Sequence, residues 1–220
     1  MSEYRFMNQL IEKEHIPTPA YVFDLDKMKE FAEKVKRCLT GKAEICYAMK
    51  ANPFLIKPMM EIVSSLEVCS PGEFRICERA GIPMEKIVLS GVYKNPDDIA
   101  YMLDTYGNRG TYTVESLQHL EVLNDTAVRH GITLSVLIRV TSGNQFGIDE
   151  AEIRKIISER EKYTGIEIEG IQFYSGTQKR NLSQMQEELK HLDTFIRELE
   201  EIGGMEIRTL EYGPGFFVPY

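Results

Sequence analysis

The chain is 220 residues long with 43% hydrophobic and 27% charged side chains, an ordinary globular composition with length for one large core or two small ones. Its formal net charge of -8 argues against nucleic acid or an anionic membrane as partner, no apolar run is long enough to span a bilayer, and the N-terminus lacks the apolar stretch of a signal peptide. Cys38, Cys46, Cys69 and Cys77 have no CxxC spacing and no HxxxH pair occurs, so the sequence predicts reduced thiols in a cytoplasmic protein and no metal site.

Residues 4–15 read as a short helix that Thr18-Pro19 breaks. Residues 20–23 read as a strand, and Asp24 or Asp26 as the cap of a helix with Met28, Phe31, Val35 and Leu39 at helical spacing. The stretch EICYAMKANP, 44–53, reads as a strand that runs into a helix start at Asn52-Pro53. Alternation puts Cys46, Ala48 and Lys50 on one face of it and Ile45, Tyr47 and Met49 on the other. A helix through Ile56, Met59, Met60 and Val63 follows, then a strand at 66–70 and a capping box at Ser70-Pro71-Gly72-Glu73. Strands at 86–90 and 111–114 are each followed by a helix, the first opened by Asn95-Pro96. The strand at 134–141 precedes a second capping box, Asp149 with Glu152. The strand at 167–175 precedes the longest helix, 183–202, with Met185, Leu189, Leu192, Ile196 and Leu199 inward and Gly203-Gly204 as its stop. A last strand, 207–212, runs into Gly213-Pro214-Gly215.

From residue 44 onward this makes seven strands, the first six each followed by a helix, which predicts a parallel α/β sheet. Short connections and near-equal units favour a (β/α) barrel of the TIM type with seven of its eight strands, in one domain, 1–220. Active sites of such barrels lie at the C-terminal strand ends. There the sequence delivers Lys50, Glu67 with Cys69, Glu73, Arg139, the row Gly170, Gln172 and Tyr174, then Thr209 with Glu211, and GPGFF. Three of these have a plainer reading: Lys50 as a snorkelling side chain, Glu73 as the capping-box carboxylate, the glycines as a turn. Together, an amine, an arginine, inner-face acids and a glycine loop with Thr177 beside it suit a phosphorylated carbonyl ligand. A lysine Schiff base with pyridoxal 5'-phosphate meets all of these, provided that burial lowers the lysine pKa enough to free its lone pair.

TPAYVFDLDKM, CYAMKANP, EVCSPGE, AGIPMEKIVLSG, TVES, the Arg139 strand, NQFGI, GIQFYSGTQ and LEYGPGF occur in an order that resembles the fold-type III pyridoxal-phosphate decarboxylases, the diaminopimelate, ornithine and arginine decarboxylase group. The resemblance runs from about Thr18 to the C-terminus. It implies an alanine-racemase-like barrel followed by a C-terminal β domain, and decarboxylation of an amino acid. Lys50 matches the Schiff-base lysine, while Glu67, Glu73, Arg139 and Tyr174 match cofactor-side positions and Thr177, Gly213 and Gly215 match the phosphate site.

Departures from the family pattern are specific. Tyr174 stands where a histidine usually stacks on the cofactor ring, Gln145 replaces a frequent lysine, and Pro214 interrupts a glycine triplet and removes one backbone N–H. The eighth-strand motif, whose glutamate pairs with the pyridine nitrogen in the family, and the β domain do not occur in the sequence. The expectation is a barrel portion completed by a second chain, a truncated gene product, or a homo-oligomer that covers its open edges. Two alternative functions stay open at this point: an amino-acid racemase on the same fold, and a non-catalytic cofactor-binding or partner-requiring subunit.

Overall fold

A computed structural model describes residues 3–39 and 41–218. The chain divides into two compact units, Met1–Ile45 and Cys46–Tyr220. The first holds helices α1 (Glu3–Lys13) and α2 (Leu25–Leu39). Asp24, rather than Asp26, opens α2: its Oδ1 accepts the Lys27 N–H at 3.0 Å. Residues 20–23 precede that cap in unpaired chain, so the strand expected there is not formed.

The second unit alternates strand and helix: β1 (Cys46–Ala48), α3 (Ile56–Met59), β2 (Ser65–Val68), α4 (Pro71–Ala80), β3 (Ile87–Leu89), α5 (Pro96–Tyr106), β4 (Thr111–Val114), α6 (Leu117–His130), β5 (Leu134–Val140), α7 (Glu150–Ser158), β6 (Ile166–Tyr174), α8 (Leu182–Gly203) and β7 (Thr209–Gly213). Among the described residues the seven strands pair in chain order, every pair parallel. The outward strand face carries Leu66, Val68, Leu89, Tyr112, Val114, Val136, Ile138, Ile171 and Phe173, all buried, as expected for a parallel sheet roofed by helices.

Two contacts show that this sheet is strongly curled. Gln172 on β6 donates to Glu67 on β2 at 3.5 Å, although a flat sheet would separate strands four apart by about 19 Å. Cys46 on β1 likewise lies close enough to Glu211 on β7, the opposite edge strand, for each to shift the other's titration. The architecture is therefore an incomplete (β/α) barrel of seven strands.

Several local expectations changed. Ser70 accepts the Glu73 N–H at 3.2 Å and Asn95 accepts that of Asp97 at 2.8 Å, so both caps form. Asp149, however, makes no side-chain cap bond, and Glu152 pairs with Lys155 instead. The helix after Pro53 is short: a 3-10 turn, Pro53–Leu55, then one turn of α3, with Pro58 inside it lacking an N–H. On α8, Leu189 is exposed and Phe195 takes its place in the buried stripe of Met185, Leu192 and Leu199. A bulge between Val136 and Leu137 shifts the β5–β6 register by one residue. Above it Arg139 lies beside Gln172, and Gln172 beside Glu211, in one lateral row.

Candidate functional site

The strand that leads to Lys50 is shorter than its sequence suggests. It ends at Ala48, and Met49–Ala51 form a 3-10 turn, so Lys50 is presented by a turn rather than by the strand face it was expected to share with Cys46 and Ala48. Met49 anchors that turn: it is fully buried, with its sulfur 3.4 Å from Cys77 Sγ. Tyr47 Oη donates to the Asn52 carbonyl at 3.0 Å, and Asn52 Oδ1 accepts the Phe54 N–H at 3.1 Å, which closes the turn on both sides. Buried methionine and capping asparagine together leave the lysine stem to point over the barrel mouth.

There Lys50 Nζ lies 3.5 Å from Glu67 Oε2 and 3.8 Å from Cys69 Sγ, and 6.0 Å from the centre of the Tyr174 ring. Its side chain is 57% exposed. Burial pulls the ammonium pKa down, but the Glu67 carboxylate, with Cys69 and Tyr174, outweighs it and holds the value above 10.5. The expectation that burial would free the amine is thus reversed, because Glu67 stabilises the charged form. The carboxylate itself is fixed on its other oxygen, where Ser90 Oγ donates at 2.9 Å and Gln172 Nε2 at 3.5 Å. Burial pushes the Cys69 thiol up, so the sulfur beside Lys50 is held as a thiol.

Below the mouth runs a polar layer where most barrels pack branched apolar side chains. Gln172 Nε2 also donates to Glu211 Oε2 at 3.1 Å. Burial, and then the Glu67 charge, raise the Glu211 carboxyl from 4.5 to about 7. Burial and the Glu211 and Glu67 charges drive the Cys46 thiol to about 12. Arg139 Nη1 pairs with Glu115 Oε2 at 2.9 Å, and its guanidinium lies 5.3 Å from the Phe146 ring centre. Glu115, 2% exposed at its side chain, also accepts the Gly91 N–H at 2.6 Å. Lys94 donates to the Gly91 carbonyl at 2.9 Å, and burial lowers its ammonium to about 8 against the opposing pull of Glu115 and Cys69.

The two glycine-bearing turns meet face to face. Gly215 has φ of +59°, and a Cβ there would lie 1.8 Å from the Gly176 carbonyl oxygen. A Cβ on Gly213 would lie 2.7 Å from Tyr174 Cδ2, so the tyrosine ring rests on the bare backbone of β7. Only glycine permits either approach. Lys179 N–H donates to the Gly215 carbonyl at 2.9 Å and ties the turns together. Beneath them Glu188 on α8 accepts from Ser175 Oγ, Lys179 Nζ and Tyr212 Oη, each at 2.7 Å. Burial pushes the Glu188 carboxyl up, but these three donors outweigh it and hold it below its usual range. The result is an exposed Thr177 on a turn bolted to the scaffold from below.

Of the residues selected from sequence, Lys50, Glu67 and Tyr174 meet directly, and Thr177, Gly213 and Gly215 form the adjoining turns. Glu73 stands behind them: its Oε2 accepts the Cys69 N–H at 2.7 Å, one residue before the N-cap a capping box would use. Arg139 is committed to Glu115 within the same inner layer. Glu115 and Lys94 were not selected as site residues. Glu115 carried a visible signal, an acid directly at the C-terminal end of β4, whereas Lys94 sits in a loop whose inward course only the fold sets.

An amine at a barrel mouth, beside glycine turns with a threonine hydroxyl, fits a pyridoxal phosphate molecule by the chemistry of its donors. The chain matches the family model described as "Pyridoxal-dependent decarboxylase, pyridoxal binding domain" over residues 25–220. It is 30% identical over 220 residues to diaminopimelate decarboxylase of Aquifex aeolicus, covering 92% of this chain and 51% of that protein. Diaminopimelate decarboxylase of Methanocaldococcus jannaschii superposes with a TM-score of 0.81 at 28% identity, over 96% of this chain and 54% of the other. A structure of SrLDC in complex with PLP and cadaverine gives 0.83 at 25% identity, over 100% and 55%. The chain spans about half the length of the curated relatives it matches.

Proposed function

Because the chain belongs to the pyridoxal-dependent decarboxylases, by way of their pyridoxal-binding domain, we propose that it binds pyridoxal 5'-phosphate through Lys50 and serves the decarboxylation of an amino acid of the diaminopimelate type. The observation that carries this reading is the grouping of Lys50, Glu67 and Tyr174 beside the double glycine turn. Pyridoxal phosphate, when bound, supplies an aldehyde for the amine and a ring that accepts electrons as the α-carboxylate leaves. Lys50 is the nucleophile, and Glu67 holds it in place and keeps it protonated until the site is filled. Tyr174 offers an aromatic face, while Thr177, Gly213 and Gly215 accept a phosphate against backbone N–H groups and a hydroxyl. Glu73 stiffens the strand end at Cys69, and Arg139 keeps a positive charge in the inner layer beside Glu115.

The other half of the relatives' length supports a further structural part that completes the site, whether it lies on the same protein, on a second chain or in a second copy. The four unpaired thiols suit a reducing, cytoplasmic setting. Among the described residues no helix is long and apolar enough to cross a membrane. The test is direct. Titration with pyridoxal phosphate should give a visible absorption band, and borohydride should fix the cofactor on Lys50 as seen by mass spectrometry. Absence of the band, or an unchanged band in Lys50→Ala, overturns the reading. Carbon dioxide release from a panel of amino acids then separates decarboxylation from racemisation and from cofactor holding without turnover.

A further inference from the structure

The polar layer beneath Lys50 contains a connection that cofactor attachment alone leaves unused. Gln172 is 4% exposed, and its one amide nitrogen reaches two carboxylates, Glu67 at 3.5 Å and Glu211 at 3.1 Å. Its carbonyl oxygen is buried with no hydrogen-bond partner among the described residues. Turning the amide over would set that oxygen against both acids, so the two carboxylates fix its orientation. An apolar side chain at this position would avoid the desolvation cost of the orphaned oxygen. The bridge between two acids is what the glutamine provides. Glu67 in turn holds the Lys50 ammonium at 3.5 Å.

We propose that Gln172 and Glu211 are positioning residues that set the charge of Lys50 through Glu67. The inference rests on Lys50 as the reactive amine. Glu211 is faced by Cys46 from β1, Glu67 from β2, Arg139 from β5 and Gln172 from β6, with Lys50 beyond Glu67. Cys46 is a neutral thiol and Arg139 is already paired with Glu115, so Glu211 is the member of this set whose charge changes near neutral pH. While it is protonated, Glu67 is the one carboxylate at the bridge, and Gln172 can lean fully to it. When it ionises, a second negative charge enters the layer, draws on the same amide and strengthens the hold on the ammonium. The chain thereby ties a proton on β7 to the nucleophilicity of an amine on the turn after β1.

The experiment reads Lys50 in the protein without cofactor, so its outcome is independent of whether pyridoxal phosphate binds. Competitive acetylation across pH, followed by mass spectrometry of the Lys50 peptide, gives the amine's titration curve. Glu211→Gln should raise Lys50 labelling at pH 8.5 about three- to tenfold over wild type, as expected for removing one nearby charge. Glu211→Asp should return it towards wild type. In a Gln172→Leu background, Glu211→Gln should have less than half that effect. A Lys50 curve in Glu211→Gln that superposes on wild type overturns the proposal, as does an undiminished effect in the Gln172→Leu background. Should these variants fail to fold, wild-type NMR with labelled glutamate carboxyls and lysine side chains decides it. The Lys50 resonance must then shift with the midpoint of the Glu211 titration, and a Lys50 resonance that ignores that midpoint refutes the coupling.

Discussion

Replacing Glu211 by glutamine should change how the protein's stability depends on pH. In the folded protein the carboxyl titrates at about 7, against 4.5 for the free group, because it is buried and faces Glu67. Below pH 4.5 both the folded and the unfolded chain hold this proton, and the group has no effect. Between 4.5 and 7 the unfolded chain releases the proton while the folded one keeps it, so stability falls as pH rises. Each pH unit in that interval costs about 1.4 kcal/mol, an upper total of about 3 kcal/mol that remains lost above pH 7. Glutamine has nearly the same shape, can accept the Gln172 amide through its carbonyl, and does not titrate. Urea unfolding of both proteins from pH 5 to pH 9 exposes the term, since titrating groups remote from this layer cancel in the difference. The variant should gain about 2–3 kcal/mol on wild type between pH 5 and pH 8. Parallel curves would refute the account of Glu211 as a buried acid that keeps its proton.

Other expectations follow from the same layer and its rim. Arg139→Met strands the Glu115 carboxylate, 2% exposed at its side chain, and should lower unfolding free energy by about 3–5 kcal/mol. Adding Glu115→Gln should restore part of that loss in the same urea measurement. Gly215→Ala forces a Cβ to 1.8 Å from the Gly176 carbonyl at φ of +59°, so the two turns must separate. Pyridoxal phosphate affinity, read from the visible band, should fall at least tenfold while the far-ultraviolet circular dichroism is retained. Gly204→Ala, at φ of +57° with nothing within 4 Å of the new Cβ, should cost only about 1 kcal/mol and leave cofactor affinity unchanged. Asn95→Ala removes the cap bond to Asp97 N–H and should cost about 1 kcal/mol by thermal unfolding.

Alternation of strand and helix was legible in the sequence because local rules govern it. β4 was bounded correctly by its turn residues, and the Ser70 and Asn95 caps formed because a short polar side chain next to proline needs no distant partner. Asp149, with glutamate rather than proline beside it, made no side-chain cap bond although its backbone is extended like those of Ser70 and Asn95. Phe195 replaced Leu189 in the core of α8 because packing, with Arg154 of α7 at 4.9 Å from its ring centre, selects one stripe among several of similar period. The short β1 escaped notice for a related reason: Met49 is buried on Cys77, a contact 28 residues away, and that burial winds the chain into a turn.

By itself the sequence determined, from residue 44 onward, the alternation of strand and helix, the parallel pairing and the presence of an amine near the first strand's end, all consequences of spacing along the chain. It also held the ordered motifs that mark the family. Tertiary structure alone decided the charge of Lys50. An isolated reading of burial predicted a lowered pKa, but the curl of the sheet brings β2 and β6 together and sets Glu67 beside the ammonium. Electrostatic energy depends on distances in space, and Glu67, Gln172 and Glu211, far apart along the chain, become neighbours only once the sheet has curled.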